Sequence, residues 1–257
     1  MWLALLACSE PDDSGGALHA GAGEDRPYLP KDSGEDAAGL DSGDDGAGDS
    51  AEAGPCPTNM ALVGDGLCID QYEGTLVGWS PYDVPESGVA QSVGGVSPQG
   101  YISGDVAQAA CDAAGKRLCT TDEWMAACAG VQGRTYPYGK TYDLYACNDT
   151  YGGSHPVIDY FGSSDVWDME HMNDPGINQQ VGTISLTGEF TDCVTPERVF
   201  DMHGNLHEWV SDANGTFKGG FYADAVINGA GCNYTTTAHE MSYHDYSTGF
   251  RCCQGVD

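Results

Sequence analysis

The amino-acid sequence predicts a disulfide-rich α+β domain with little regular secondary structure, preceded by a long acidic spacer. Three observations predict it. Only two stretches carry helix start and stop signals. The remaining apolar residues come in short runs broken by Gly, Pro and Asn, which read as brief strands in small, irregular antiparallel sheets beneath two helices. The 257 residues also include 37 glycines and 11 cysteines, a density of cysteine that belongs to an oxidising compartment.

The chain divides into residues 1–8, 9–55 and 56–257. Within Met1-Trp-Leu-Ala-Leu-Leu-Ala-Cys8, the phrase Leu5-Leu6-Ala7-Cys8 has the form of a bacterial lipoprotein cleavage box, in which Cys8 would carry the acyl chain. The apolar run is short for a signal peptide and lacks basic residues, so a start further upstream is expected. Residues 9–55 hold 13 acidic residues against 2 basic ones and almost no apolar surface, the composition of an extended, disordered linker. Its near-repeats, Asp32-Ser-Gly-Glu-Asp36 and Asp41-Ser-Gly-Asp-Asp45, read as low-complexity spacer and lack the register of an EF-hand. The expected location is the bacterial cell envelope, as an outer-membrane lipoprotein, or the medium.

With Cys8 set aside, ten cysteines remain, at 56, 68, 111, 119, 128, 147, 193, 232, 252 and 253. An even set without any Cys-x-x-Cys pair favours five disulfides over zinc. A formal net charge of −30 argues against nucleic acid or an anionic surface as partner. Membrane contact is expected only through the lipid anchor, and the partner expected is an exported protein, a peptide or a glycan.

The first helix is expected from Ser103 to Gly115, where Ser103 can cap the start, Gly115 can supply a left-handed residue after the end, and Val106, Ala109 and Ala110 share a face. The second follows directly. Thr120 and Glu123 have the spacing of a capping box, and Trp124, Ala127 and Cys128 form the apolar face. From Tyr136 to Asp257 the sequence is aromatic, loop-rich and without sustained periodicity.

Three phrases carry more information: Gly115-Lys-Arg-Leu-Cys-Thr-Thr-Asp-Glu-Trp124, Asp201-Met-His-Gly-Asn-Leu-His-Glu-Trp209 and Gly249-Phe-Arg-Cys252. In this order they resemble the formylglycine-generating, or sulfatase-modifying-factor, family. The stretch Cys56 to Gly74 resembles its opening hairpin, and Tyr136-Pro-Tyr-Gly139 its tight turn. The resemblance implies the family's variant of the C-type-lectin fold, and it implies the pairs Cys111 with Cys252 and Cys128 with Cys232. Cys56 and Cys68 are a natural pair across the hairpin. The other four cysteines allow three connectivities, of which Cys147 with Cys193 and Cys119 with Cys253 is preferred.

Between Asp201 and Glu208 two carboxylates flank a glycine turn, an arrangement of hard oxygen donors suited to calcium. By resemblance the ligands are the Asp201 and Glu208 side chains and the carbonyls of Gly204 and Leu206. Asn148 matches one ligand of a second family site whose other ligands are not found.

Formylglycine generation uses copper(I) held by two thiolates, soft ligands that this ion prefers. Counted from Lys218-Gly-Gly-Phe-Tyr222, the family's first thiolate position is Asp224; the second is Gly229, or Ile227 when counted back from Cys232. Copper is therefore not expected. Asp224, His239, His244 and Asp245 are the candidate pocket, with His203 and His207 as possible additions one helical turn apart. No helical domain of the kind found in the related ergothioneine-pathway enzymes fits the sequence. The expected function is ligand binding or a divergent activity, with cysteine oxidation in exported sulfatases as the alternative and a purely structural envelope protein as a third.

Overall fold

The computed structural model describes residues 54–256. Cys8, the cleavage box and nearly all of the acidic spacer lie outside the described residues. The strands are β1 (Met60–Val63), β2 (Leu67–Asp70), β3 (Gly74–Leu76), β4 (Ala90–Ser92), β5 (Arg117–Leu118), β6 (His207–Trp209), β7 (Phe217–Lys218), β8 (Thr235–Thr236), β9 (Thr248–Phe250) and β10 (Cys252–Gly255). None exceeds four residues, as a sequence broken so often by glycine requires.

Two helices form where local chemistry specifies them. Helix α1 (Gly104–Ala113) starts at Ser103, whose hydroxyl accepts from Val106 N, and is followed by Gly115 at φ +74°. Its buried face is Ala107, Ala110 and Cys111, at the i, i+3, i+4 spacing of one helical stripe. Ala109, expected inside, is exposed, because it lies between that stripe and the opposite side. Helix α2 (Thr121–Ala129) has a complete capping box: Thr120 accepts from Glu123 N, and Glu123 reaches back to Thr120 N. Glu123 also forms a forked pair with Arg117.

Two further short helices, α3 (Pro156–Phe161) and α4 (Met169–Met172), were not expected. Pro156 at the first helical position and Gly162 in the left-handed region after the end are the local signals for α3.

Three small sheets complete the frame. β1-β2-β10-β5 is antiparallel throughout and β3-β4 is a two-stranded ribbon; in β8-β7-β6-β9 one pair, β6 with β9, is parallel. That parallel register places Glu208 beside Gly249 and Trp209 beside Phe250, which brings the second and third sequence phrases together.

Five disulfides join the described cysteines: Cys56–Cys68, Cys111–Cys252, Cys119–Cys253, Cys128–Cys232 and Cys147–Cys193. The three that tie the helical layer to the C-terminal third span 141, 134 and 104 residues. In the chain-entropy account one loop of this length stabilises a fold by roughly 4–5 kcal/mol, and because Cys111–Cys252 and Cys119–Cys253 are nested the second of them adds less than the first. Apolar packing follows the same division. One cluster surrounds Trp124 and Cys128 of α2, a second joins α1 to Trp209 and Phe250, and a third, more aromatic, gathers Tyr101, Val157, Tyr222 and Tyr246.

Candidate functional site

Strand β6 separates two chemical environments, because successive side chains on a strand point to opposite faces. Glu208 faces inward. Its Oε1 accepts from Arg251 Nη2 at 2.5 Å, and its Oε2 accepts from Arg251 Nε at 2.6 Å and from Trp124 Nε1 at 2.6 Å. Arg251 also donates to the carbonyls of Asp70 and Phe200. The three sequence phrases therefore meet at a single carboxylate: Trp124 from the first, Glu208 from the second and Arg251 from the third.

The loop that delivers Glu208 is tightly wound. Asp201, Gly204 and Asn205 all have φ between +57° and +78°. A side chain at position 204 would meet the Asn148 carbonyl at 2.1 Å, so only glycine fits there. Asn205 donates from its amide to Glu73, whose other oxygen accepts from Leu206 N at 3.1 Å. Asp201 accepts from Gly188 N at 2.7 Å. Burial, reinforced by the neighbouring carboxylates, raises Glu73 well above the usual carboxylate range and Asp201 to about 7.

These positions fit calcium in part. Glu208 is already neutralised by Arg251, which leaves the Asp201 side chain and the Gly204 and Leu206 carbonyls as donors. Among the described residues no group of three His, Cys, Asp or Glu side chains is placed to hold a metal ion. Three buried carboxyl groups, Glu73, Asp201 and Glu208, lie near the Arg251 guanidinium, which pairs with Glu208, and burial of the other two favours their protonated forms. Asn148, the candidate for a second site, has its amide nitrogen donating to Thr183 O and to Asn205 Oδ1.

His207, on the opposite face of β6, forms part of the wall of a cavity of about 470 Å³. Asp224, His239 and Asp245 line the same cavity, together with His155, Tyr234 and Tyr246. His244 does not: its Nδ1 pairs with Asn173 Oδ1 at 2.8 Å, outside the cavity. His203 is also elsewhere, its Nε2 3.0 Å from Asp149. The expectation that His203 and His207 lie one helical turn apart fails because the segment is a left-handed loop running into a strand.

Asp224 is held by the turn it caps. Its Oδ1 accepts from the backbone of Val226 and Ile227, and its Oδ2 from the Tyr234 hydroxyl at 2.9 Å. Asp245 accepts at Oδ1 from Ser247 N and Oγ, and at Oδ2 from the Tyr243 hydroxyl at 2.6 Å. His239 stacks on Tyr243 with ring centroids 3.7 Å apart. His207 is packed against Phe217, Phe221 and Tyr234. Burial lowers its pKa to about 3, and its Nδ1 has no hydrogen-bond partner. Burial also lowers His155 and His239 below the usual histidine range.

Of the two positions open for a second family thiolate, Ile227 lines the cavity. Gly229 has φ +117°, and a side chain there would meet the Asn233 carbonyl at 2.8 Å. Asp224 and Ile227 thus border one cavity, and all ten described cysteines are in disulfides.

Residues 80–255 match the model of the sulfatase-modifying factor enzyme 1-like domain. With most of its length matched, the chain belongs to the sulfatase-modifying factor family. Among solved structures, PvdO from Pseudomonas aeruginosa is similar at 16% identity, with 74% of this chain and 80% of that one covered and a TM-score of 0.49. The I1 variant of the major tropism determinant is similar at 13% identity and a TM-score of 0.47, covering 77% of this chain; the match spans 53% of that longer protein. CarF is similar at 16% identity, with 77% and 78% covered and a TM-score of 0.37. No curated protein matches the chain.

Proposed function

We propose that this domain is a ligand-binding member of its family, with its binding site in the cavity bordered by His207, Asp224, His239 and Asp245. The observation that carries the proposal is that all ten described cysteines are in disulfides, with Asp224, and Ile227 or Gly229, at the positions where the family resemblance calls for thiolates. A carboxylate is a hard ligand and a poor substitute for thiolate on copper(I). The alternative, oxidation of a cysteine in an exported sulfatase, is tested directly. The full chain is incubated with copper and a Cys-x-Pro-x-Arg peptide, and the product is examined by mass spectrometry. Unchanged peptide is expected, and robust conversion to the aldehyde would overturn the binding proposal.

Export fits the five disulfides, which persist in oxidising compartments. Among the described residues no helix is long and apolar enough to cross a membrane. Lipid attachment at Cys8, with residues 9–55 as a tether, would hold the domain at the cell envelope. Calcium belongs to the same proposal as a structural cation at the Asp201 loop, where it would favour the ionised form of Asp201. An exported protein, a peptide or a glycan is the partner such a domain would display this cavity to.

A further inference from the structure

We propose that the cavity recognises an alkylammonium cation, held against aromatic rings and the carboxylates of Asp224 and Asp245. The inference rests on the reading of this cavity as a ligand site and names the chemistry of its occupant.

Five aromatic side chains, Phe217, Phe221, Tyr234, Tyr243 and Tyr246, line the cavity. A cation is drawn to the electron-rich face of such rings, most strongly where water is excluded. Two of the phenols donate to carboxylates of the same cavity, Tyr234 to Asp224 and Tyr243 to Asp245. A phenol that donates to an anion gains electron density in its ring, which strengthens the attraction for a cation.

The charge balance points the same way. Two carboxylates border the space and no lysine or arginine does. The histidines there, His155, His207 and His239, are kept neutral near pH 7 by burial. An anionic ligand would meet uncompensated like charge, whereas an ammonium would supply the missing counter-charge. The formal net charge of −30 adds a long-range attraction for cations.

Size and polarity also agree. The cavity, at about 470 Å³, falls within the roughly 300–1,000 Å³ usual for small-ligand sites. The lining also holds the polar side chains of Ser154, Asn228 and Thr236, which can meet a second, polar group of the ligand. The alkylammonium group can belong to a free small molecule or to a methylated lysine side chain, and the chemistry recognised is the same.

The test is calorimetric titration of the full chain with choline, with Nα-acetyl-trimethyllysine amide, and with 3,3-dimethyl-1-butanol, the uncharged analogue of choline. At least one cation should bind about 30-fold more tightly than the uncharged analogue. The better of the two cations identifies a small molecule or a modified side chain as the source. Asp224→Asn keeps the acceptor for the Val226 and Ile227 amides, and it should weaken cation binding about tenfold more than it weakens binding of the analogue. Equal binding of cation and analogue would overturn the inference while leaving the cavity a ligand site. No binding of either cation overturns the inference as well, and aldehyde formation in the peptide assay would overturn the underlying reading separately. If Asp224→Asn fails to fold, the cation-to-analogue ratio of the unaltered protein decides alone.

Discussion

His207 and Glu208 are neighbours in sequence and opposites in chemistry. Around Glu208 both carboxylate oxygens are taken, Arg251 is fully engaged, and two disulfides close on the adjoining cysteines. Around His207 a ring nitrogen is left without a partner and the packing opens into a cavity. The comparison separates a side whose polar groups are satisfied from a side that leaves space. The phrases that resemble the family meet on the Glu208 side, whereas Asp224, and Ile227 of the two candidate second positions, border the His207 side. A fold with strands of four residues or fewer cannot rely on backbone ladders alone, so side chains and disulfides brace it.

The contrast can be broken most forcefully at the disulfides. Replacing Cys111, Cys119, Cys252 and Cys253 together by Ala, which opens both nested loops, should lower unfolding free energy by more than roughly 4–5 kcal/mol, measured by denaturant titration under non-reducing conditions. The same treatment of Cys56 and Cys68, which span only 12 residues, should cost distinctly less, and equal losses would contradict the division drawn here. Next in size is Glu208→Gln. It leaves Arg251 as a buried charge without its ion pair, at a cost of about 3–5 kcal/mol, and its thermal melt should show the loss without any change in the residues that line the cavity.

A smaller effect is expected from calcium. Saturating Ca²⁺, relative to a chelator, should stabilise the domain by about 1–3 kcal/mol, and Asp201→Asn should remove the difference. A melting temperature indifferent to both would eliminate calcium from the Asp201 loop. Smallest is a pH effect on the cavity side. Burial lowers the pKa of His155 and His239 in the folded state, so the unfolded chain takes up their protons first as pH falls. Their contribution to stability is present above the unfolded value of about 6.5 and is lost as pH drops through it towards the lower folded values. Replacing both by Gln should make the acid limb of the stability curve shallower.

Much of the bracing side was legible in the sequence because its signals are local or belong to the family resemblance. Ser103, Thr120 with Glu123, and Gly115 mark helix ends through contacts within a few residues. The pairs Cys111–Cys252 and Cys128–Cys232 are those the resemblance implied. What was not legible depends on distance or direction. Nothing near Glu208 announces that Arg251 will occupy its oxygens, because the partner arrives through the parallel β6–β9 pairing. Whether a histidine in the 239–245 stretch points into the cavity depends on irregular backbone, so His239 enters it and His244 turns to Asn173. His207 was read as an accessory residue, and only the strand geometry of β6 places it in the cavity wall.

The adjacent cysteines of strand β10 also set a timetable for making this protein. Cys252 and Cys253 reach back to Cys111 and Cys119, on α1 and just before α2. Arg251, immediately before them, completes the ion pair of Glu208. Until those three consecutive residues have been synthesised and delivered, α2 can pack on Val199, Met202 and Val210 and bridge to Cys232, but α1 lacks its disulfide and Glu208 its ion pair. Exposed thiols would wait more than a hundred residues for their partners, open to wrong pairing in the meantime. Two of the five bridges and the Glu208 ion pair therefore all depend on the delivery of one short stretch, Arg251 to Cys253.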